Sequence, residues 1–239
     1  MPTTNNTGST NKTLFLFDVD NTLLDNDRVL QDLKAHLLGK VGPERSQRYW
    51  NIFEELRTDL GYADYLGALQ RYRKEYPRDL HLLTISHFLI DYPFANRLFP
   101  GSLDAIEHAK SCGSVALLSD GDVVFQPRKV ERSGLGEAVE GRVMIYVHKE
   151  KELDDVEKRC PAEHYIMLDD KLHILTAIKN IWGSRVTTVF VRQGHYAHDS
   201  KILSANPPAD LTLERIGELP NHKLKSLISS GARTPSSAR

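Results

Sequence analysis

The chain has few cysteines, no long apolar run and no excess of charge of either sign. Its two cysteines, Cys112 and Cys160, form no C-x-x-C pair and cannot build a disulfide framework, so a reducing, cytoplasmic setting is the simplest interpretation. No apolar run approaches the roughly 20 residues that span a bilayer, and we expect no membrane partner. The 31 basic and 32 acidic residues give a net charge of −1, which does not favour nucleic acid as a partner.

The two ends of the chain are polar. The first twelve residues lack the apolar core of a signal peptide. We expect residues 1–12 to be a disordered tail and residues 221–239 to be a polar tail. Between them, the composition of 40% hydrophobic and 26% charged residues is ordinary for a globular protein. A chain of 239 residues is long enough for one large domain or for a core domain with an insertion.

The most informative local pattern is TLFLFDVDNTLL, residues 13–24. Its apolar run at residues 14–17 is bounded by polar residues, which predicts a short buried strand of a parallel sheet. Side chains alternate along a strand, so Asp18 and Asp20 would point to the same side at its carboxyl end, where open α/β sheets bind ligands. Two adjacent carboxylates repel each other unless a cation lies between them, and Mg²⁺ prefers such oxygen ligands. A turn followed by a helix cap is the simpler alternative for D-x-D alone.

From residue 25 to residue 99 the apolar residues recur at helical spacing. Glycine and proline divide this stretch into about four short helices, which could bury their apolar faces together as a small bundle. The predicted helices end at Gly39, at Gly61, near Pro77 and at Pro93. We therefore expect residues 25–99 to form a separate α-helical domain.

From residue 100 onwards, strand-like runs alternate with helical segments. Ser102 is a candidate N-cap for a helix that runs to about Cys112. The alternation is typical of a Rossmann-like, doubly wound α/β fold with a parallel sheet covered on both faces. The expected core comprises residues 13–24 and 100–220, interrupted after its first strand by the helical domain. Its later strands are predicted at residues 114–119, 141–147, 165–168 and 185–191.

Polar residues follow each of the first four predicted strands. After the first strand with its two aspartates come Ser119 and Asp120, then Lys149, then Asp169 and Asp170. In a parallel sheet these carboxyl ends lie at one edge, so the side chains would converge. Carboxylates, a hydroxyl and an ammonium suit a phosphoryl group held by Mg²⁺ and hydrogen-bond donors. Taken alone, Ser119 is as well explained by a helix cap, and Lys149 by a solvated loop lysine.

The order of these motifs resembles that of the haloacid dehalogenase (HAD) superfamily, in its phosphatase type, across residues 13–192. The string FDVDNTL resembles the first motif, D-x-D-x-T, and LLSDG resembles the second, an apolar strand ending in Ser or Thr. Lys149 resembles the lysine of the third motif, and IMLDD resembles the acidic fourth motif. A helical insertion directly after the first motif is similar to the C1 cap of that superfamily.

The resemblance implies a role for each residue. Asp18 would attack phosphorus to form an aspartyl-phosphate, and Asp20 would protonate the leaving oxygen and later activate water. Ser119, Asp120 and Lys149 would bind the substrate phosphate. Mg²⁺ would be the cofactor and a small phosphorylated metabolite the substrate. The implied metal ligands are Asp18, Asp20 through its peptide carbonyl, Asp170 as first choice, and Asp169 as a ligand or a neighbouring carboxylate.

Several alternatives stay open in the sequence. Lys151 competes with Lys149, because the third motif usually reads Lys-Pro and here reads Lys-Glu-Lys. A phosphomutase would also need Asp20, and a non-catalytic binding protein could use the same scaffold. Members that cleave carbon–halogen bonds lack the second aspartate, so Asp20 argues against dehalogenation. Candidates for substrate specificity in the helical insertion are Arg57, Tyr62 and Tyr65.

Overall fold

The computed structural model describes residues 11–223, so most of both predicted tails, residues 1–10 and 224–239, lies outside the described residues. The first strand begins at Asn11, two residues before the predicted start of the core. None of the helices within residues 11–223 combines the length and apolarity that crossing a bilayer requires.

The described residues contain a six-stranded, all-parallel sheet with the strand order β3-β2-β1-β4-β5-β6. This confirms the predicted Rossmann-like, doubly wound α/β fold. The sequence analysis missed β6, whose three residues are too short to show a period. The strands are β1 Asn11–Phe17, β2 Ser114–Asp120, β3 Val143–Tyr146, β4 Ala162–Asp169, β5 Val186–Val191 and β6 Leu211–Leu213.

Four helices lie between β1 and β2, and the first three fall within residues 25–99: α1 Asn26–Leu60, α2 Tyr65–Glu75 and α3 Leu82–Asp91. The predicted end of the first helix at Gly39 is wrong, because the helix continues to Gly42, whose φ of 79° and ψ of 174° are not helical. The following Pro43 restricts Gly42 and cannot donate the next helical hydrogen bond, so the break falls there. Gly61 ends α1 in the left-handed conformation, as predicted.

The fourth of these helices, α4 Ser102–Lys110, leads into β2. The remaining helices follow the later strands: α5 Phe125–Arg132, α6 Leu135–Ala138, α7 Leu153–Arg159, α8 Leu172–Trp182 and α9 Ser200–Ala205. The predicted cap role of Ser102 is wrong. Gly101 occupies the N-cap position of α4, and the Ser102 hydroxyl donates to the carbonyl of Leu23 at 2.7 Å. This bond ties the start of α4 to the loop that follows β1.

Both faces of the sheet are covered, as the continuous apolar run of β1 requires. Phe15 and Phe17 join a cluster with α4, α5 and the inserted helices, while Leu14 and Leu16 join another with α7 and α8. The Tyr65 ring packs against Phe125 at 5.1 Å between ring centres, so the first cluster is continuous from the insertion into the core. This packing fixes the inserted helices above the carboxyl ends of the strands.

Candidate active site

Asp18 lies at the carboxyl end of β1, in the middle of the sheet. Its backbone N–H donates to the Leu168 carbonyl at 2.9 Å, which continues the pairing of β1 with β4. The side chain is only 2% exposed. Its Oδ1 accepts hydrogen bonds from Lys149 Nζ at 2.6 Å and Ser119 Oγ at 3.4 Å, and its Oδ2 accepts from Thr22 Oγ1 at 3.2 Å. Asp18 is therefore held in one orientation at the topological centre of the sheet.

Lys149 begins a 3₁₀ turn after β3 and is fully buried. Its Nζ lies 2.6 Å from both Asp18 Oδ1 and Asp169 Oδ2 and 3.3 Å from the Leu118 carbonyl. Burial lowers the pKa of this ammonium, but the carboxylates of Asp169 and Asp18 outweigh burial, so the pKa is raised above its usual value. Lys151 is exposed, so the structure brings Lys149, and not its rival, onto Asp18.

Asp18, Asp169 and Asp170 form a buried carboxylate cluster, with one oxygen from each lying within 4.8 Å of the others. Asp169 Oδ1 accepts from the Lys171 backbone N–H at 2.8 Å. Burial, together with the charge of Asp18, raises the pKa of Asp169 to about 6. Neither oxygen of Asp170 has a hydrogen-bond partner among the described residues, and burial and Asp169 raise its pKa well above the usual value. A divalent cation would satisfy these oxygens.

Ser119 and Asp120 lie at the end of β2, next to Asp18. Ser119 Oγ accepts a hydrogen bond from Gln126 Nε2 at 3.0 Å and donates one to Asp18 Oδ1 at 3.4 Å. Asp120 Oδ1 accepts from the backbone N–H of Lys149 at 2.7 Å, which fixes the turn that carries the lysine. Burial raises the pKa of Asp120 despite the nearby lysine. Asp120 thus supports Lys149, although it also lines the cavity above the site.

Asp20 does not join the carboxylate cluster, because its side chain is bound by Lys129, a residue that the sequence analysis missed. Lys129 on α5 is 1% exposed. Its Nζ donates to Asp20 Oδ1 at 2.6 Å, to Asp20 Oδ2 at 2.8 Å and to Asn26 Oδ1 at 3.0 Å. A signal was present in the sequence, since Lys129 lies at helical spacing with Phe125 on the buried face of α5.

Lys171 is a second missed residue and directly follows Asp170. Its ammonium lies 5.5 Å from the centre of the Tyr196 ring, in a cation–π contact. Burial lowers the pKa of Lys171, but Asp18 and Asp170 outweigh this effect and raise it above the usual value. Its place directly after the two aspartates was the signal in the sequence, but spacing does not reveal where a long side chain ends.

A cavity of about 880 Å³ lies above these residues, between the inserted helices and the strand ends. The predicted specificity residues Arg57, Tyr62 and Tyr65 all line it. Arg57 Nη2 donates to the Tyr196 hydroxyl at 2.7 Å, which links α1 to the core. Tyr65 is buried, with its ring stacked on Phe53 at 4.7 Å between ring centres, so it also packs within the inserted helices. The cavity is large enough for a small metabolite.

Five carboxylates and three ammonium groups lie at the bottom of this cavity or buried below it, and two of each kind line the cavity itself. With every group charged, two negative charges are left unbalanced, and a divalent cation would balance them. The residues present therefore fit such an ion. The carboxylates are Asp18, Asp20, Asp120, Asp169 and Asp170, and the ammonium groups are Lys129, Lys149 and Lys171.

The chain is similar to a family of known proteins. The family model "haloacid dehalogenase-like hydrolase" matches residues 12–181. The crystal structure of a haloacid dehalogenase-like hydrolase from Burkholderia xenovorans LB400 is 63% identical, with a TM-score of 0.84, and the match covers 89% of this chain and 99% of that chain. No curated protein matches the sequence.

More distant structures share the fold. An L-2-haloacid dehalogenase from Xanthobacter autotrophicus is 18% identical and the HAD-hydrolase YfnB from Bacillus subtilis, bound to magnesium, is 16% identical. Both have a TM-score of 0.57, and each match covers 88% of this chain and 97% of the other. At such identities the likeness shows the fold alone. The family match over most of the chain and the 63% identity carry the assignment: the protein belongs to the haloacid dehalogenase-like hydrolases.

Proposed function

We propose that the protein is a Mg²⁺-dependent phosphatase that hydrolyses a small phosphorylated metabolite through an aspartyl-phosphate on Asp18. The observation that carries this proposal is the buried cluster of Asp18, Asp169 and Asp170 below an 880 Å³ cavity, with both oxygens of Asp170 unpartnered. A carboxylate can attack an anionic phosphoryl group only where cations offset the repulsion between them. The lysines and a divalent ion would provide that offset.

Asp18 and Asp170 are the side chains best placed to hold Mg²⁺. Asp169 is already engaged by Lys149 and by the backbone of Lys171, so it supports the cluster or adds a further oxygen. Asp20 would contribute its peptide carbonyl, as the family resemblance implies, since its carboxylate is bound to Lys129. When bound, the ion would neutralise charge on the phosphoryl oxygens.

The chain's own residues would carry out the two steps. In the first, an oxygen of Asp18 attacks phosphorus, the ester P–O bond breaks, and the leaving oxygen takes a proton from Asp20. In the second, Asp20 accepts a proton from water, the resulting hydroxide attacks phosphorus, and the bond to Asp18 breaks to release inorganic phosphate. Ser119 and Lys149, which contact Asp18 Oδ1, supply a hydroxyl and a positive charge beside the phosphoryl group.

Asp20 also separates this proposal from dehalogenation, the activity named for some proteins of the same fold. Members of the superfamily that cleave carbon–halogen bonds lack this aspartate, whereas here it lines the cavity. A phosphomutase would share Asp20 and would return the phosphoryl group to a sugar.

The two cysteines are free, which supports a reducing, cytoplasmic setting as part of the proposal.

The test is release of inorganic phosphate from p-nitrophenyl phosphate and a panel of phosphorylated metabolites, with Mg²⁺ or with EDTA. We expect metal-dependent release that falls by about 10³-fold or more in Asp18→Asn, since the nucleophile is lost. Asp154→Asn, on the exposed face of α7, serves as the matched control. Halide release from 2-chloropropionate is measured in parallel. Metal-independent halide release without phosphate release would replace the phosphatase with a dehalogenase.

A further inference from the structure

We infer that Lys171 is a substrate-binding residue, whose ammonium donates hydrogen bonds to the phosphoryl oxygens of the substrate. The inference rests on the proposed function. It adds a second ammonium group to that of Lys149, the lysine to which the family resemblance assigns a phosphate contact. It arises from how the three lysines at the bottom of the cavity use their N–H groups.

Two of these lysines are already engaged by carboxylates of the protein. Three oxygens surround the Lys149 ammonium: Asp18 Oδ1, Asp169 Oδ2 and the Leu118 carbonyl, at 2.6, 2.6 and 3.3 Å. Two of these contacts, to Asp18 and to Leu118, are hydrogen bonds, and the contact with Asp169 is an ion pair, so the protein engages this ammonium closely. Its place between two carboxylates makes it a residue that positions Asp18.

Lys129 is engaged closely as well. Its three donors meet the two oxygens of Asp20 and the side-chain oxygen of Asn26, at 2.6, 2.8 and 3.0 Å. The side chain is 1% exposed, so a ligand in the cavity could reach this ammonium only by displacing Asp20. Both buried lysines are thus held by carboxylates of the protein, whereas the third lysine is not.

Lys171 differs, because within residues 11–223 its ammonium has no hydrogen-bond acceptor. Its backbone is fixed by the bond from its N–H to Asp169 Oδ1, at 2.8 Å. The end of its side chain is placed over the Tyr196 ring, and the Tyr196 hydroxyl in turn accepts from Arg57 at 2.7 Å. The residue lines the cavity and is partly exposed to it. The side chain is thus fixed at its backbone and at its tip, and its ammonium keeps free N–H donors at the cavity. Such an ammonium is suited to binding an anion.

The position of Lys171 indicates which anion it binds. Lys171 directly follows Asp170, and its backbone N–H donates to Asp169 Oδ1, so its side chain starts from the carboxylate cluster that contains Asp18. The residue lines the cavity above this cluster, the side from which a phosphoryl group must approach the proposed nucleophile. A solvated surface lysine would be free to move, whereas Lys171 is fixed by its backbone bond and by the aromatic ring.

The experiment is a calorimetric titration of inorganic phosphate, with Mg²⁺ present, into the wild-type protein and into Lys171→Met, Lys171→Gln and Lys171→Arg. Lys151→Met is the matched control, since this exposed lysine lines the same cavity but lies in the 3₁₀ turn after β3. We expect the Kd for phosphate to rise by about 10-fold or more in the Met and Gln variants, as for loss of a charge-assisted hydrogen bond. Arg should restore much of the affinity, and the control should stay within about twofold of wild type.

Steady-state kinetics adds a second readout. A phosphate ester should show a larger increase in KM than decrease in kcat for Lys171→Gln, because the contact exists before the reaction begins. Thermal melts of each variant confirm that the fold is retained, and the Gln variant replaces the Met variant if only the latter unfolds.

Equal affinity for phosphate in the wild type and in the folded Lys171 variants would overturn the inference, and so would a wild type that binds no phosphate. Lower thermal stability with unchanged phosphate affinity would also overturn it, because Lys171 would then only balance the aspartates. Failure of the proposed function looks different. Phosphate would bind in a Lys171-dependent manner, while no ester would be hydrolysed by the wild type or by Asp18→Asn.

Discussion

The carboxylate of Asp170 is buried and has no hydrogen-bond partner among the described residues, which has a consequence for stability. Burial and Asp169 raise its pKa well above the usual value. The folded state therefore holds a proton that the unfolded state releases above about pH 4, so the metal-free protein loses stability as pH rises. We expect Asp170→Asn to raise the Tm of the metal-free protein at pH 8 by about 2–4 °C, equivalent to about 1 kcal/mol.

The same substitution should remove the stabilisation by magnesium. Wild type should gain Tm on addition of Mg²⁺, since the ion binds only the folded state, and Asp170→Asn should gain little or none. Differential scanning calorimetry in EDTA and in Mg²⁺ measures both effects, with Asp154→Asn as an exposed control. A variant that is less stable than wild type in EDTA would contradict the view that this carboxylate is unsatisfied without a metal.

Lys129 and Asp20 provide a second prediction at the residue scale. Lys129→Met leaves the carboxylate of Asp20 without its only cation within hydrogen-bond distance among the described residues. We expect a loss of about 1–3 kcal/mol, less than for a fully buried pair because the Asp20 side chain is 24% exposed. The double variant with Asp20→Asn should regain part of this loss. Urea denaturation of the double-mutant cycle gives the coupling, and strictly additive losses would show that the pair does not interact.

The sequence predicted some of the site residues and missed others for physical reasons. The topology of the sheet alone brings four backbones to one edge, because these residues lie at the carboxyl ends of strands or directly after them: Asp18, Ser119, Asp169 and Asp170. Lys129 lies on a helix, and its ammonium is several bonds from the backbone. Where such an ammonium ends depends on packing, which sequence spacing does not encode. The same applies to Lys171.

At the scale of elements, the period of apolar residues predicted five of the six strands and the helical insertion. The predicted helix ends were wrong where an adjacent residue changed the effect of a single residue type. Gly39 has the composition of a helix end but continues as helix, while Gly42 ends it because Pro43 follows. Ser102 is a residue type that often caps helices, but Gly101 occupies the N-cap position. The Ser102 hydroxyl is therefore free to donate to the Leu23 carbonyl. Helix ends depend on adjacent residues and on tertiary partners as well as on residue type.

The link between α1 and the segment after α3 supports a prediction on pH. Asp32 on α1 accepts hydrogen bonds from the Tyr92 hydroxyl and from Arg97. Burial raises the pKa of Asp32, but these two partners outweigh burial and lower it below the usual value. A lowered pKa means that this stabilisation is present above about pH 4 and is lost as pH falls through the pKa of the folded state.

Asp32→Asn should therefore lower the Tm at pH 7 by about 2–4 °C, equivalent to about 1 kcal/mol for this partly exposed group. The difference from wild type should shrink towards pH 3. Circular dichroism melts at several pH values check this. Asp154→Asn, at an exposed carboxylate on α7, controls for general surface charge. A difference that is the same at pH 7 and pH 3 would exclude titration of Asp32 as the cause.

At the scale of the whole molecule, several polar contacts join the insertion to the core around the cavity. One of them is the bond from Arg57 on α1 to the Tyr196 hydroxyl. Closure of such a cavity excludes water from the reaction. Tyr196→Phe deletes the hydroxyl and keeps the ring that holds Lys171. We expect KM to rise by about twofold to tenfold, as for loss of one hydrogen bond, with Tm nearly unchanged because Arg57 is exposed.

Steady-state kinetics with p-nitrophenyl phosphate measures this effect, and Tyr196→Ala should raise KM further because the support of Lys171 is lost as well. The same KM in the wild type and in both variants would show that neither the hydroxyl nor the ring contributes to substrate binding.

The strand order also bears on how the chain folds during synthesis. β1 leaves the ribosome first, yet both of its neighbours, β2 and β4, come later, and the 96 residues from 18 to 113 separate β1 from β2. At typical elongation rates this interval lasts about 5–20 s, during which a strand of four consecutive large apolar residues has two open edges. The inserted helices make local contacts and can fold in that time. Chains that stall before β4 would therefore present a folded helical bundle attached to an aggregation-prone strand.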